Sequence, residues 1–125
     1  MIATLEAEVN DLHANVCAGL ADPKRIMLLY ALADRPQTVT DLVSAVHMPQ
    51  SSVSRHLKVL RERGMVHTTR QGQSVEYRLA DRRFIDALDL LRAALRDHLS
   101  HRAGLVEVLD VPIDLPQESV LCDED

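Results

Sequence analysis

The sequence predicts a mainly α fold closed by one small β-hairpin, and three observations predict it. Apolar residues recur at helical spacing in separate stretches, Asp22-Pro23, Pro49 and Gly64 punctuate those stretches, and residues 65–79 switch to strict alternation. The order is four helices, two strands and a last long helix. At 125 residues there is room for one domain of ordinary size, and 46% hydrophobic with 26% charged residues is enough to bury a core.

Ile2, Leu5, Val9, Leu12 and Val16 lie three or four apart, which predicts a first helix to about Gly19 with a narrow apolar seam suited to another helix. Asp22 offers an N-cap acceptor, and Pro23 is a first helical residue whose missing N–H costs nothing, so a second helix opens there. Its apolar run, Ile26 to Ala33, reads as mostly buried. The run ends near Asp34-Arg35-Pro36 because proline disfavours helix in the residue before it. Thr38 or Thr40 caps a short third helix carrying Leu42, Val43 and Val46, which Pro49 interrupts. From Gln50 a fourth helix places Val53, Leu57 and Leu60 on one face and Ser51, Ser52, Ser54, Arg55 and Lys58 on the others, and Gly64 supplies a left-handed C-cap.

Val75, Tyr77 and Leu79 then alternate with Ser74, Glu76 and Arg78. Met65 to Arg70 is rich in Val and Thr, so two strands joined through Gln71-Gly72 form a hairpin with a polar, basic tip. Phe84, Leu88, Leu91, Leu95 and Leu99 return to helical spacing in a last helix that reaches Leu109 and stops before Pro112 and Pro116. Residues 1–109 are thus expected to fold as one domain, with 110–125 as an acidic, mobile tail.

The net charge of −5 argues against a polyanion partner until its distribution is read. Residues 50–83 carry eight Arg and Lys against three acidic residues, a net +5, whereas residues 104–125 carry seven acidic residues and no Lys or Arg. The basic segment is therefore local. Other classes fall away. The longest apolar run, eight residues, is far short of the roughly 20 that span a bilayer, and the first twenty residues lack the basic start of a signal peptide; a cytoplasmic protein is expected. Phe84, Tyr30 and Tyr77 are too few aromatics for stacking single-stranded bases. No glycine-rich phosphate loop, nucleophile elbow or ligand set with a general base is present, so no enzyme is expected.

A short helix, a tight turn, a helix with a polar N-terminal face and a basic hairpin make a winged helix-turn-helix. A helix of this width enters the major groove of duplex DNA with its N-terminal turns against base edges. Gln50, Ser51, Ser52, Ser54, Arg55 and His56 lie there. Arg55 is able to pair bidentately with a guanine edge, Lys58 and the serines suit phosphates, and Arg70, Gln71 and Gln73 on the wing follow the backbone or the minor groove. The plain alternatives are that Ser51 or Ser52 caps the helix and that Arg61 and Arg63 are solvated. A different class of function is an interaction module that binds a protein through its acidic termini.

The runs Gly19-Leu-Ala-Asp-Pro-Lys-Arg-Ile, Gln50-Ser-Ser-Val-Ser-Arg-His-Leu-Lys-Val-Leu and Arg70-Gln-Gly-Gln-Ser-Val-Glu-Tyr-Arg-Leu resemble the ArsR/SmtB-type winged-helix repressors over about residues 15–100. The resemblance implies a homodimer packed through its first and last helices, a palindromic DNA site, and release by a metal ion, metalloid or thiol-reactive signal. The apolar seams of those two helices are in keeping with that.

The chain departs from the family pattern at several points. Thr38 and Thr40 stand where metal-binding members carry Cys-x-Cys. His98 and His101 match half of a last-helix zinc site, but Ile85 and Ala87 stand where its other half would be, and Pro49 replaces a capping Ser or Thr. His98 also falls on the Phe84/Leu91 seam, where a packing histidine is the plain reading. Cys17, one helical turn from His13, and Cys122 near the end are the thiol candidates, free by default because two distant cysteines make no disulfide scaffold.

Overall fold

A computed structural model describes the backbone of residues 1–109 and the side chains of residues 1–103. Its contacts divide it into a unit spanning Met1–Ala87 and a second beginning at Leu88. The sequence instead places its one boundary after Leu109. The acidic tail, with Cys122, lies outside the described residues.

In the first unit α1 (Ile2–Leu12) continues through a π-helical turn, His13–Cys17, and ends helically at Gly19, the extent the apolar spacing predicts. α1 buries no residue: Ile2 is 75% exposed, and Leu5, Val9 and Leu12 about half exposed. α2 (Pro23–Asp34) starts as read, with the Asp22 carboxylate accepting the Lys24 N–H at 2.8 Å and Pro23 in the first turn. α3 (Val39–Val46) takes Thr38, not Thr40, as its cap. Thr38 Oγ1 accepts the Asp41 N–H and the Asp41 carboxylate accepts the Thr38 N–H, so two orphan donors are satisfied reciprocally.

His47 closes α3 in the left-handed region at φ 56°, and three residues later α4 (Gln50–Glu62) begins. Gly64 (φ +74°) ends α4 as expected: its N–H bonds to the Arg61 carbonyl and the Met65 N–H reaches the Leu60 carbonyl, the paired bonds of a Schellman cap.

The sheet has three strands where the sequence predicts two. β1 (Gln37–Thr38) adds to the hairpin of β2 (Val66–Gln71) and β3 (Ser74–Leu79), giving the antiparallel order β1-β3-β2. Gln37 pairs with Tyr77 and Thr38 with Glu76. The hairpin turns on Gly72-Gln73 between paired Gln71 and Ser74, with positive φ at Gly72 alone of the two, as in a type II′ turn. Gln37 is buried and donates from Nε2 to the Ala31 carbonyl at 2.7 Å, satisfying an end of α2 that proline-terminated chain could not.

α2, α3 and α4 pack on one another, with β3 against α2 and β2 against α4. Leu28, Leu29, Leu32, Leu42, Val53, Leu57, Leu60, Met65, Val66 and Ile85 form the core. Asp81 stands two residues before α5 (Arg83–Leu109), and its carboxylate accepts both the Arg83 N–H and its guanidinium. Those bonds, the side-chain one foremost, hold the Asp81 carboxyl at about 2.

Candidate nucleic-acid interface

α4 is sorted by its own periodicity into two faces. Ser52, Val53, His56, Leu57 and Leu60 are buried, while Gln50, Ser51, Ser54, Arg55 and Lys58 are exposed. The inward row holds α4 on α2 and α3, so the outward row is presented by a fixed helix. Two of the expected DNA contacts are therefore corrected. Ser52 and His56 are 8% and 4% exposed, buried on the inward row and not presented on the outer face. The Ser52 hydroxyl is enclosed without a hydrogen-bond partner among the described residues, so it is not the helix cap either.

The N-terminus of α4 has no side-chain cap. Pro49 stands at the N-cap, and its carbonyl accepts the Val53 N–H, so the first-turn donors of Gln50 and Ser51 are left to an outside acceptor. A helix start in this condition, carrying partial positive charge, suits a phosphate oxygen. Arg70, Gln71 and Gln73 are exposed at the end of the hairpin.

The cations divide by employment. Arg83 and Arg82 pair with Asp81 and Asp86, and Arg35 with Asp34. Arg63, expected as either solvated or DNA-facing, donates to the Ala14 carbonyl at 2.6 Å and braces the end of α4 against the π-helical turn. The brace needs close approach: a Cβ on Gly19 would lie 2.9 Å from Met65 Sδ and 3.3 Å from Arg63 Cδ. Arg55, Lys58 and Arg70, all exposed, enter no ion pair among the described residues. With Arg61 and Arg78, exposed and likewise in no ion pair among the described residues, they are cations open to a polyanion.

Beneath α4 lies a group that sequence reasoning missed. Arg25, half-buried on α2, donates from Nε to the Gly19 carbonyl at 2.7 Å and from Nη2 to the Ala18 carbonyl at 3.2 Å. Its Nη1 lies 3.4 Å from Nδ1 of His56, and the other ring nitrogen, Nε2, is buried 3.9 Å from Asp22 Oδ2 without a hydrogen bond. Burial, more than any neighbour, lowers the His56 pKa from its ordinary 6.5. Asp22 opposes that shift, and Arg25, Arg55 and Lys24 add to it. The ring sits 31 residues from Arg25 in sequence, beyond the reach of local patterning.

The sensor candidates are not brought into a cluster. Cys17 is a free, exposed thiol and His13 is exposed one turn before it. In the second unit His98 and His101 are exposed three residues apart on α5. They offer two imidazoles where a closed tetrahedral site needs four ligands, and among the described residues no group of three or more His, Cys, Asp or Glu is placed to hold a metal ion.

Comparison with known proteins adds to this geometry. Residues 22–68 match the family described as bacterial regulatory protein, arsR family. The chain is 40% identical over 87 residues to the HTH-type transcriptional regulator NmtR of Mycobacterium tuberculosis, covering 70% of this chain and 72% of that one. It is 42% identical over 74 residues to the HTH-type transcriptional repressor SmtB of the same species, covering 59% of this chain and about half, 55%, of that protein's length. Its fold is similar to the solution NMR structure of the homodimeric winged helix-turn-helix DNA-binding domain of Mb0332 from Mycobacterium bovis. That likeness has a TM-score of 0.67 at 28% identity and covers 77% of this chain and 89% of that one.

Proposed function

This chain belongs to the arsR family of bacterial regulatory proteins, and from that premise we propose that it is a DNA-binding transcriptional repressor acting as a homodimer on a palindromic operator. The observation that carries the reading is the division of α4: an apolar row fixes the helix while Gln50, Ser51, Ser54, Arg55 and Lys58 stay free beside a basic wing. In this reading α4 lies in the major groove. Arg55 pairs with a guanine edge and carries sequence choice, while Lys58, the open first turn of α4 and Arg70, Gln71 and Gln73 hold phosphates and carry affinity.

Dimerisation supplies what one chain lacks. An 11-residue helix that buries nothing is marginal in water, and α1 exposes Ile2, Leu5, Val9 and Leu12 in one seam. Leu90 and Leu91 of α5 are exposed as well. A second copy covering such seams pairs two recognition helices on half-sites about one DNA turn apart, which is why the operator is palindromic.

Among the described residues no helix is long and apolar enough to cross a membrane, and the proposed place of action is the cytoplasm. The proposed role is binding without catalysis. For the effector we propose a metal ion, metalloid or thiol-reactive species, with Cys17, His98 and His101 as the candidate residues, and no step is routed through a metal. Native mass spectrometry of the reduced chain with Zn(II), Ni(II), As(III) and persulfide tests that class. An adduct that also releases the duplex supports it, and no adduct with any of them overturns it.

The DNA reading is tested by selecting duplexes from a random library and measuring affinity across salt concentration. A palindromic product whose affinity falls steeply with salt supports the repressor. Failure to enrich any duplex, with salt-insensitive binding to a protein instead, overturns it in favour of an interaction module.

A further inference from the structure

The Asp22, Arg25 and His56 group occupies the underside of the helix assigned to the DNA groove, with His56 buried and Asp22 and Arg25 half-buried. An arginine has donors only, so the 3.4 Å approach of Arg25 Nη1 requires His56 Nδ1 to be the acceptor. The ring is then neutral with its proton on Nε2, the nitrogen nearest Asp22. Two other donors of the same planar guanidinium are fixed on the Ala18 and Gly19 carbonyls. Because that fork is rigid, the end of the first helical segment sets the guanidinium plane, and the plane sets the ring on α4. A lysine ammonium has the charge without the fork.

We propose that Arg25 is a positioning residue for DNA recognition: it holds His56 as the neutral Nε2–H tautomer, fixes the rotation of α4 through it, and loses that hold when His56 takes up a proton. The proposal rests on the DNA-binding reading above. Protonation adds an N–H at Nδ1, facing another donor that carries positive charge. The charged groups acting on the ring are Asp22, Lys24 and Arg25 at the start of α2 and Arg55 on α4 itself, and Asp22 alone favours the proton. Asp22 is already engaged, since its Oδ1 caps α2 through the Lys24 N–H. Acidification therefore pulls Asp22 toward the ring and pushes Arg25 away, and α4 loses its brace.

The experiment measures duplex affinity of the full chain from pH 8 to 5.5, at constant ionic strength, for wild type, Arg25→Lys, His56→Asn and Lys58→Ala, with a thermal melt at each pH. Asparagine keeps an acceptor at the Nδ1 position and does not titrate. Wild type is expected to lose about tenfold in affinity on acidification while still folded, the worth of one charged hydrogen bond, and His56→Asn to show no such loss. Arg25→Lys is expected to bind about tenfold more weakly at neutral pH with a melt close to that of wild type. An Arg25→Lys protein that binds like wild type, or a His56→Asn protein with the wild-type pH profile, overturns the proposal. In both of those cases a weakened Lys58→Ala shows that the DNA reading itself stands. If wild type binds no duplex at any pH, the DNA reading fails first and the proposal with it. Should His56→Asn not fold, the imidazole nitrogen resonances of wild-type His56 decide: protonated Nε2 with bare Nδ1 at neutral pH supports the proposal, and the reverse tautomer overturns it.

Discussion

α1 and α4 are amphipathic helices of similar length, 11 and 13 residues, in the same compact unit, yet α1 buries none of its residues and α4 buries five. The difference lies in what each apolar row meets. Val53, Leu57 and Leu60 find α2 and α3 within the chain, whereas none of Ile2, Leu5, Val9 and Leu12 is buried among the described residues. A seam completed by its own chain leaves a polar face free to act on something else. In the proposed dimer the open seam is the one that another copy completes, so in that reading the two helices divide the work, one reading DNA and the other pairing.

The comparison predicts mutations of different kinds as well as sizes. Leu57→Ala opens a cavity under α4 and should cost about 2–5 kcal/mol of stability, by denaturant unfolding. Removing a side chain from α1 should behave otherwise. Leu5→Ala should cost about 1–2 kcal/mol, and only through association, so its effect on the melt grows on dilution and sedimentation shows more monomer. A concentration-independent effect of Leu5→Ala would erase the distinction between the helices. On the outward face of α4, Arg55→Ala should relax discrimination at one base pair by about 1–3 kcal/mol while leaving other positions unchanged. Equal loss on every duplex would reassign Arg55 to a phosphate. Lys58→Ala should weaken all sequences alike and lower the salt slope by about one.

The smallest effects are those of pH on folding. The His56 pKa is lowered from 6.5 by burial, so between pH 6.5 and that lowered value the unfolded chain holds more protons than the folded one. The contribution of the neutral ring is fully present above 6.5 and is lost as pH falls through that window. His56→Asn should flatten that part of a stability-against-pH curve. Asp81, held at about 2 by Arg83, adds its contribution above its ordinary 3.8 and loses it only in strong acid. Arg83→Gln should remove this last portion while leaving the His56 window intact.

Much of this arrangement is legible in the sequence because its causes are local. Asp22-Pro23 and Gly64 mark helix ends by chemistry confined to a few residues, and the hairpin is readable from alternation and Gly72. β1 is not legible, because two residues give no alternation, and Gln37 and Thr38 become a strand only when β3 lies beside them. The width of the buried face of α4 was partly readable. Ser52 and His56 lie eight and four residues before Leu60, a row beside Val53 and Leu57, but their polarity masks it. What makes a buried histidine tolerable is Arg25, thirty-one positions away. Polar partners at that separation are set by how the helices stack. The same holds for the brace from Arg63 to the Ala14 carbonyl, which no spacing announces.

The direct measurement is a backbone amide NMR titration of the full chain with a library-selected palindromic duplex. The account predicts shifts that cluster on Gln50, Ser51, Ser54, Arg55 and Lys58 and on the wing from Arg70 to Gln73, shrinking as salt is raised, with α1 left near its free positions. Shifts centred on α1, or a duplex that moves the wing while the outward face of α4 stays still, would contradict it.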